Sequence, residues 1–367
     1  MMSKVKSIII ISLVSFIILG FSVFGLVKPD EKYSNSERRT LSSMPKLSVE
    51  NLASGRFMTD FEDYTLDQFP FRDAFRKIKT ITSLYLFRQK TVHDLYIVDG
   101  YLSKLEYPEN FDRINNSISK LQSVYDDFIK GSDCKTYLSV IPDKNYFLAP
   151  LGNYPIMDYD SVLSTIKDKM DFAEYIDIFD KLELSDYYFT DQHWRQEKIV
   201  DVAETLVNAM GGDFKGEFTE NSLDTPLYGA YVGQSALNFK GDKVVYLTND
   251  ALESSVVTSY STGNPLESQL YNFKKADGKD VYEFFLSGSE PFLTIENPKA
   301  DTDKELVIFR DSFSSSLAPL LVSSYSKITL IDLRYMKSDL IGEFMKFDNQ
   351  DVIFLYSTLI FNNSISM

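Results

Sequence analysis

The apolar positions of this chain fall into three regimes. The first regime is continuous. Lys4 and Lys6 precede residues 8–27, which carry no charge, and Lys28-Pro29-Asp30-Glu31 closes the run. About 20 apolar residues suffice for a helix to cross a hydrocarbon core. Lysines ahead of it favour a cytoplasmic N-terminus and an exported body. A cleaved signal peptide is the alternative. The run, however, exceeds the usual apolar length of about 7–15 residues, and no A-x-A-like site follows. Residues 1–28 are expected as a membrane anchor, with secretion after cleavage as the rival; either way the body lies outside the cytoplasm.

The second regime has helical spacing. Residues 29–52 are polar, with Asn35-Ser36-Glu37-Arg38-Arg39 and Ser42-Ser43-Met44-Pro45, and look like a tether. Residues 57–86 then read as a helical segment in which Phe61, Tyr64, Leu66 and Phe69 are apolar, interrupted by Asp67-Gln68-Phe69-Pro70-Phe71-Arg72-Asp73. Pro70 should break or kink the helix. Residues 29–90 thus form a tether and helical lead-in.

From residue 91 onward strands and helices alternate. Residues 92–98 predict a strand turned by Asp99-Gly100, and His93 within it has a structural part. Residues 111–129 repeat Ile114, Ile118, Leu121, Val124, Tyr125 and Phe128 as an amphipathic helix. Residues 136–141 form a strand running into Pro142-Asp143-Lys144. A helix over 161–172, a strand over 176–179 and a helix over 199–210 follow. Residues 213–298 predict an irregular β-containing insertion, with strands around 228–234, 244–247 and 281–286. The closing third is regular: strands at 306–309, 328–331 and 352–356, and helices at 315–322 and 338–347, the last with Ser338 as N-cap. This alternation predicts an α/β body over 91–367 with a doubly wound, mostly parallel sheet. Its ligands belong at the carboxyl ends of the strands.

Composition narrows the function. The 367 residues carry a net charge of −15 and a pI near 4.7, which argues against nucleic acid as a partner. Cys134 is the single cysteine, so neither an internal disulfide nor a multi-cysteine metal site is available. With only two histidines, His93 and His193, any imidazole base must be one of them. His193 lies two residues after Asp191 and beside the only tryptophan, Trp194. In extended chain that spacing puts both side chains on one face.

Ser312 sits where a strand ends and a helix begins. Such a turn exposes the hydroxyl and aims backbone N–H groups at a developing oxyanion. A serine needs an adjacent base, and His193 is the available one, with Asp191 to fix its tautomer. The G-x-S-x-G elbow of the α/β-hydrolases is absent. Reading Asp191 and His193 as metal ligands leaves them without a third partner, and no cofactor is implied.

Thr190-Asp191-Gln192-His193-Trp194 together with Arg310-Asp311-Ser312-Phe313-Ser314 resembles the DHHW protein family, grouped with the SGNH-hydrolase-like O-acetyltransferases of the alginate acetylation type. The likeness extends to the Asp67-to-Asp73 motif, Pro142-Asp143-Lys144 and Asp332-Leu333-Arg334-Tyr335. It implies a permuted motif order, Asp-x-His before the serine, and a triad of Asp191, His193 and Ser312. It also implies an extracytoplasmic enzyme acting with a membrane-bound O-acyltransferase on a surface polysaccharide. Gln192 stands where the family name records a second histidine.

The remaining motifs have plainer readings beside functional ones. Arg334 and Tyr335 follow a strand in the loop layer of Ser312, where each can bind substrate, steady an oxyanion, pair or pack. Trp194 can stack on a sugar or pack beside the loop. Asp311 reads as a cap and Lys144 as an ordinary loop charge. Three functions remain open: an O-acetyltransferase, an acetyl-esterase of the same fold, and a non-catalytic polysaccharide-binding scaffold, the last motivated by Gln192.

Overall fold

The computed structural model describes residues 2–34 and 36–364, so Asn35 of the expected tether lies outside the described residues. The chain divides into two compact units, Met1–His93 with Val232–Asn238, and Asp94–Tyr231 with Phe239–Met367.

The first unit begins with α1 (Met2–Val27), whose segment Lys4–Gly25 is long and apolar enough to cross a membrane and has no buried share. The segment read as a tether is tied down. Tyr33–Ser34 pairs with Arg39–Thr40, and its side chains return to the junction of α2 (Arg56–Asp67) and α3 (Arg72–Ile81). Pro70 lies between these helices, as its missing N–H requires. Asp67 accepts from Arg39 Nη1 at 2.8 Å and from Ser42 N–H at 2.9 Å. The Arg39 hydrogen bond, against the opposing effect of burial, holds the Asp67 carboxyl down at about 2. Gln68 spans the carbonyls of Glu31 (2.9 Å) and Ser42 (3.1 Å), and Arg72 pairs with Glu37.

The second unit is built on an eight-stranded sheet. Its strands are β1 (Lys135–Ile141), β2 (Glu174–Tyr175), β3 (Val256–Ser259), β4 (Leu266–Ser268), β5 (Phe292–Glu296), β6 (Glu305–Arg310), β7 (Lys327–Ile331) and β8 (Asp351–Ser357), in the spatial order β4-β3-β5-β7-β6-β8-β1-β2. From β7 to β2 every pairing is parallel; β5, β3 and β4 extend the sheet antiparallel. The central strands are almost uninterrupted apolar runs because both faces are covered. Leu306, Ile308, Ile353 and Leu355 face one core with Val202 and Leu206 of α7 (Val200–Ala209) and Leu317 and Leu320 of α8 (Ser314–Leu321). Val307, Phe309, Val352 and Phe354 face the other, with Ile114, Ile118 and Leu121 of α4 (Phe111–Val124) and Val162 and Ile166 of α6 (Tyr159–Lys169).

Several local expectations change. The 213–298 region contributes β3, β4 and β5 to the main sheet as well as a separate pair, Thr219–Ser222 with Val245–Thr248. Residues 228–234 and 281–286 form no strands there: Ala230–Ser235 is a short helix and Val281–Phe284 a 3-10 turn packed among aromatic rings. Apolar runs this short do not distinguish strand from helix. The expected helix over 338–347 shrinks to a 3-10 turn, Ser338–Leu340, and Ile341–Phe344, with Lys337 rather than Ser338 at the cap. His93 lies just before its strand, exposed, with φ 53.

Candidate active site

The carboxyl ends of β6, β8 and β1 lie side by side, since Arg310 pairs with Leu355 and Ser357 with Ile141. Each strand runs directly into polar residues there: Asp311-Ser312, Ser357-Thr358 and Asp143-Lys144. Open parallel sheets gather ligands at such an edge. Asp311 fixes the serine turn, accepting from Phe313 N–H at 3.0 Å with one oxygen and from Ser357 N–H at 2.8 Å with the other. Within residues 306–325 every residue is buried except Ser312. The turn therefore exposes the one hydroxyl in an otherwise closed stretch.

His193 meets that hydroxyl from a loop with little regular structure. Its Nε2 lies 2.8 Å from Ser312 Oγ, and its Nδ1 lies 2.5 Å from Asp191 Oδ1. The same Asp191 oxygen accepts the His193 backbone N–H at 3.0 Å. Burial alone would raise the Asp191 carboxyl. Its contact with His193, helped by the charge of Lys144, outweighs that and holds it at about 2. The imidazole stacks on Tyr282 at 3.8 Å with the rings 5° from parallel, and Phe313 touches its other surroundings at 4.9 Å. The Tyr282 hydroxyl lies 2.9 Å from Ser316 Oγ.

Three residues hold the loop from outside. Lys144, which opens α5 (Lys144–Leu151), is fully enclosed rather than an ordinary loop charge. Its ammonium donates to the carbonyls of Leu102 (2.8 Å), Tyr188 (2.9 Å) and Asp191 (2.6 Å). Burial pulls its pKa down to about 8, against the opposing pull of Asp191 and Asp242. Asp242 accepts from Phe189 N–H and Thr190 N–H, both at 2.8 Å, and from the Thr190 hydroxyl at 2.5 Å. Gly229 packs against the same backbone: a Cβ there would fall 2.0 Å from the Thr190 carbonyl oxygen.

Trp194 is fully buried, so no sugar can stack on it. Its Nε1 donates to the Phe313 carbonyl and to Ser316 Oγ, both at 3.0 Å, which fastens the histidine loop to the serine turn. Arg334 holds Asp332 with Nε at 2.9 Å and Nη2 at 2.6 Å. Burial opposes its charge, and this pair more than restores it. Its guanidinium is thus held in an ion pair at the foot of the loop layer, with Tyr335 exposed beside it at 5.4 Å. Gln192 accepts from Tyr231 at 3.1 Å, which leaves both imidazole nitrogens to Asp191 and Ser312. Tyr282 and Asp242 come from the region where the pattern of residues carries least signal. Among the described residues no group of three or more histidine, cysteine or acidic side chains is placed to hold a metal ion.

Residues 37–146 match the family model described as DHHW protein. That bears out the resemblance carried by the sequence motifs. The DHHW match takes in the Asp67-to-Asp73 motif and Lys144 and ends ahead of His193 and Ser312. A DHHW family protein from Eubacterium siraeum shares the fold, with a TM-score of 0.60 at 18% identity over 75% of this chain and 94% of that one. Bacillus cereus PatB1, solved with a sulfonyl adduct, has a TM-score of 0.56 at 19% identity over 74% of this chain and 96% of its own. The O-acetyltransferase domain of Pseudomonas putida AlgJ aligns more loosely, at a TM-score of 0.45 and 13% identity over 74% of this chain and 94% of that one. No curated protein matches the chain.

Proposed function

We propose that this protein is an extracytoplasmic, membrane-anchored O-acetyltransferase with an SGNH-hydrolase-like fold of permuted motif order. It acts on a cell-surface or secreted polysaccharide through Ser312, His193 and Asp191. One observation carries the reading: a single imidazole lies 2.5 Å from a buried carboxylate and 2.8 Å from a solvent-reached hydroxyl. Asp191, ionised at all working pH values, accepts the Nδ1 proton and leaves Nε2 free as the base. Nε2 takes the Ser312 proton as Oγ adds to the acyl carbonyl, whose electron pair moves onto oxygen. The Ser312 backbone N–H, which has no acceptor among the described residues, is available to that oxyanion. Collapse expels the donor's leaving group, which takes the proton from Nε2. An acceptor hydroxyl then gives its proton to Nε2, attacks the acyl-serine and restores Oγ–H.

The sugar acceptor and a membrane-bound O-acyltransferase as partner and acyl source rest on the DHHW resemblance, and α1 supports the anchor. An acetyl-esterase would follow the same steps with water as acceptor. The bond from Gln192 to Tyr231 supports full use of His193 despite the missing second histidine. A fluorophosphonate probe tests the reading: it should label the wild-type protein and not Ser312→Ala, and labelled protein should no longer turn over an activated acetyl ester. A folded wild-type protein that binds glycan but takes no label would instead be a scaffold.

A further inference from the structure

The motif from Asp67 to Asp73 has no part in this chemistry, and its two chemical halves face different neighbours within the first unit. Its polar members bind the segment after α1, as described above. Its apolar members turn to α1 itself. Phe69 stacks on Phe21 with centroids 5.5 Å apart, and Phe71 on Phe24 at 5.7 Å, each pair 9° from parallel. A Cβ on Gly25 would lie 3.8 Å from the Pro70 ring. Phe75, a turn further on, meets Phe21 edge-on at 5.7 Å.

These contacts fix a depth. At about 1.5 Å rise per residue, Phe21 lies about 6 Å inside the end of the apolar segment at Gly25. When α1 spans a bilayer, whatever touches Phe21 and Phe24 sits at the level of the headgroups and upper acyl chains. From that contact α3 carries Phe75 and Ile78, three residues apart on one face, and Phe71 stands at its N-cap; their exposures are 44%, 58% and 66%. Tyr85, Leu86 and Phe87 continue the exposed apolar surface. The other side of α3 holds Arg72 and Arg76, both engaged with Glu37, and Lys79 is exposed. Single exposed apolar residues are ordinary, whereas a contiguous apolar face marks an interaction surface.

We infer that the apolar surface made by Phe71 at the cap of α3 and by Phe75 and Ile78 along it is a membrane-interface foot, seated in the extracytoplasmic leaflet beside α1. The inference rests on the anchor reading of α1. The occupant is the phospholipid surface because the face is continuous with a lipid-facing helix and held at its depth by ring stacking. Interfacial helices bury their apolar side by about 5–10 Å at the headgroup–acyl boundary, and a lysine at its edge can reach phosphate.

The test uses the full chain in phosphatidylcholine vesicles whose acyl chains carry bromine at shallow or deep positions. Trp194, the single native tryptophan, is buried and gives a constant background. Ile78→Trp should be quenched more by shallow than by deep bromine, with Phe71→Trp as a second reporter on the face. Phe16→Trp, mid-span, should be quenched most by deep bromine. Quenching at position 16 with none at 78 or 71 overturns the foot alone. Blue-shifted emission at 78 without lipid quenching also overturns it, since protein would then cover the face. No quenching at 16 overturns the anchor and the foot together.

Discussion

The two halves of the proposed site are held by different means. Ser312 sits between a strand and a helix, and the side chain that shapes its turn, Asp311, is its neighbour in sequence. His193 sits in a loop whose regular pairing is one bridge, Tyr187 with Trp194. Its position depends on Lys144, Asp242 and Gly229, each some 36 to 49 residues away, and on bonds from Trp194 into the serine turn. A local device tolerates damage elsewhere, whereas a loop clamped by distant side chains fails when any clamp does. The serine geometry should therefore survive substitutions that the histidine geometry does not.

The largest effect comes from within the histidine half. Asp191→Asn keeps the loop's shape but offers the wrong partner to Nδ1; turnover of an activated acetyl ester should fall about 10³–10⁴-fold. Asp191 itself sets no acid limb in the rate profile above about pH 4. Its folded pKa of about 2 lies below the ordinary carboxylate value, so its contribution to stability is present above that value and is lost as pH falls towards 2.

Next comes the contrast between the two supports. Lys144→Met leaves three carbonyls without their donor, although it also removes a buried charge. Expected are a loss of about 2–4 kcal/mol in stability and of about 10–100-fold in kcat, measured by denaturant unfolding and ester kinetics. Asp311→Asn keeps a carbonyl acceptor in the turn and should cost about 1–2 kcal/mol and less than tenfold in kcat. Equal kinetic losses in the two variants would break the comparison.

The smallest effect on turnover is expected at Glu106. Glu106 is buried, and burial raises its carboxyl to about 7, against the lowering effect of the Asn363 amide. Its folded pKa exceeds the unfolded one, so ionising it costs stability as pH rises from about 4 to 7, and the full cost is present above 7. Glu106→Gln should therefore stabilise the protein by about 1–3 kcal/mol at pH 8 and by almost nothing at pH 4, read from paired unfolding curves.

Legibility follows the same division. The strands ending at Arg310, Ile331 and Ser357 are near-continuous apolar runs, which mark a parallel sheet covered on both faces. Ser312 at such a strand end, and a histidine two residues from Asp191 in a chain with two histidines, are readable as chemistry. Lys144 is not, because a lone charge after a strand looks solvated until Leu102 and the 188–191 loop converge on it. Tyr282 and Asp242 belong to a region of short, mixed apolar runs whose path only tertiary packing decides. Arg334 was partly legible: Asp332 two residues earlier is the partner it pairs with.

The central claim is that Ser312 carries an acyl group delivered with the help of His193. Mixing the full chain with an activated acetyl ester, quenching within the first turnovers and digesting it for mass spectrometry tests this directly. The account predicts one acetyl group on Ser312, absent in Ser312→Ala and strongly reduced in His193→Ala. Undiminished turnover in Ser312→Ala, or an acetyl group on another residue that disappears at the rate of turnover, would contradict it.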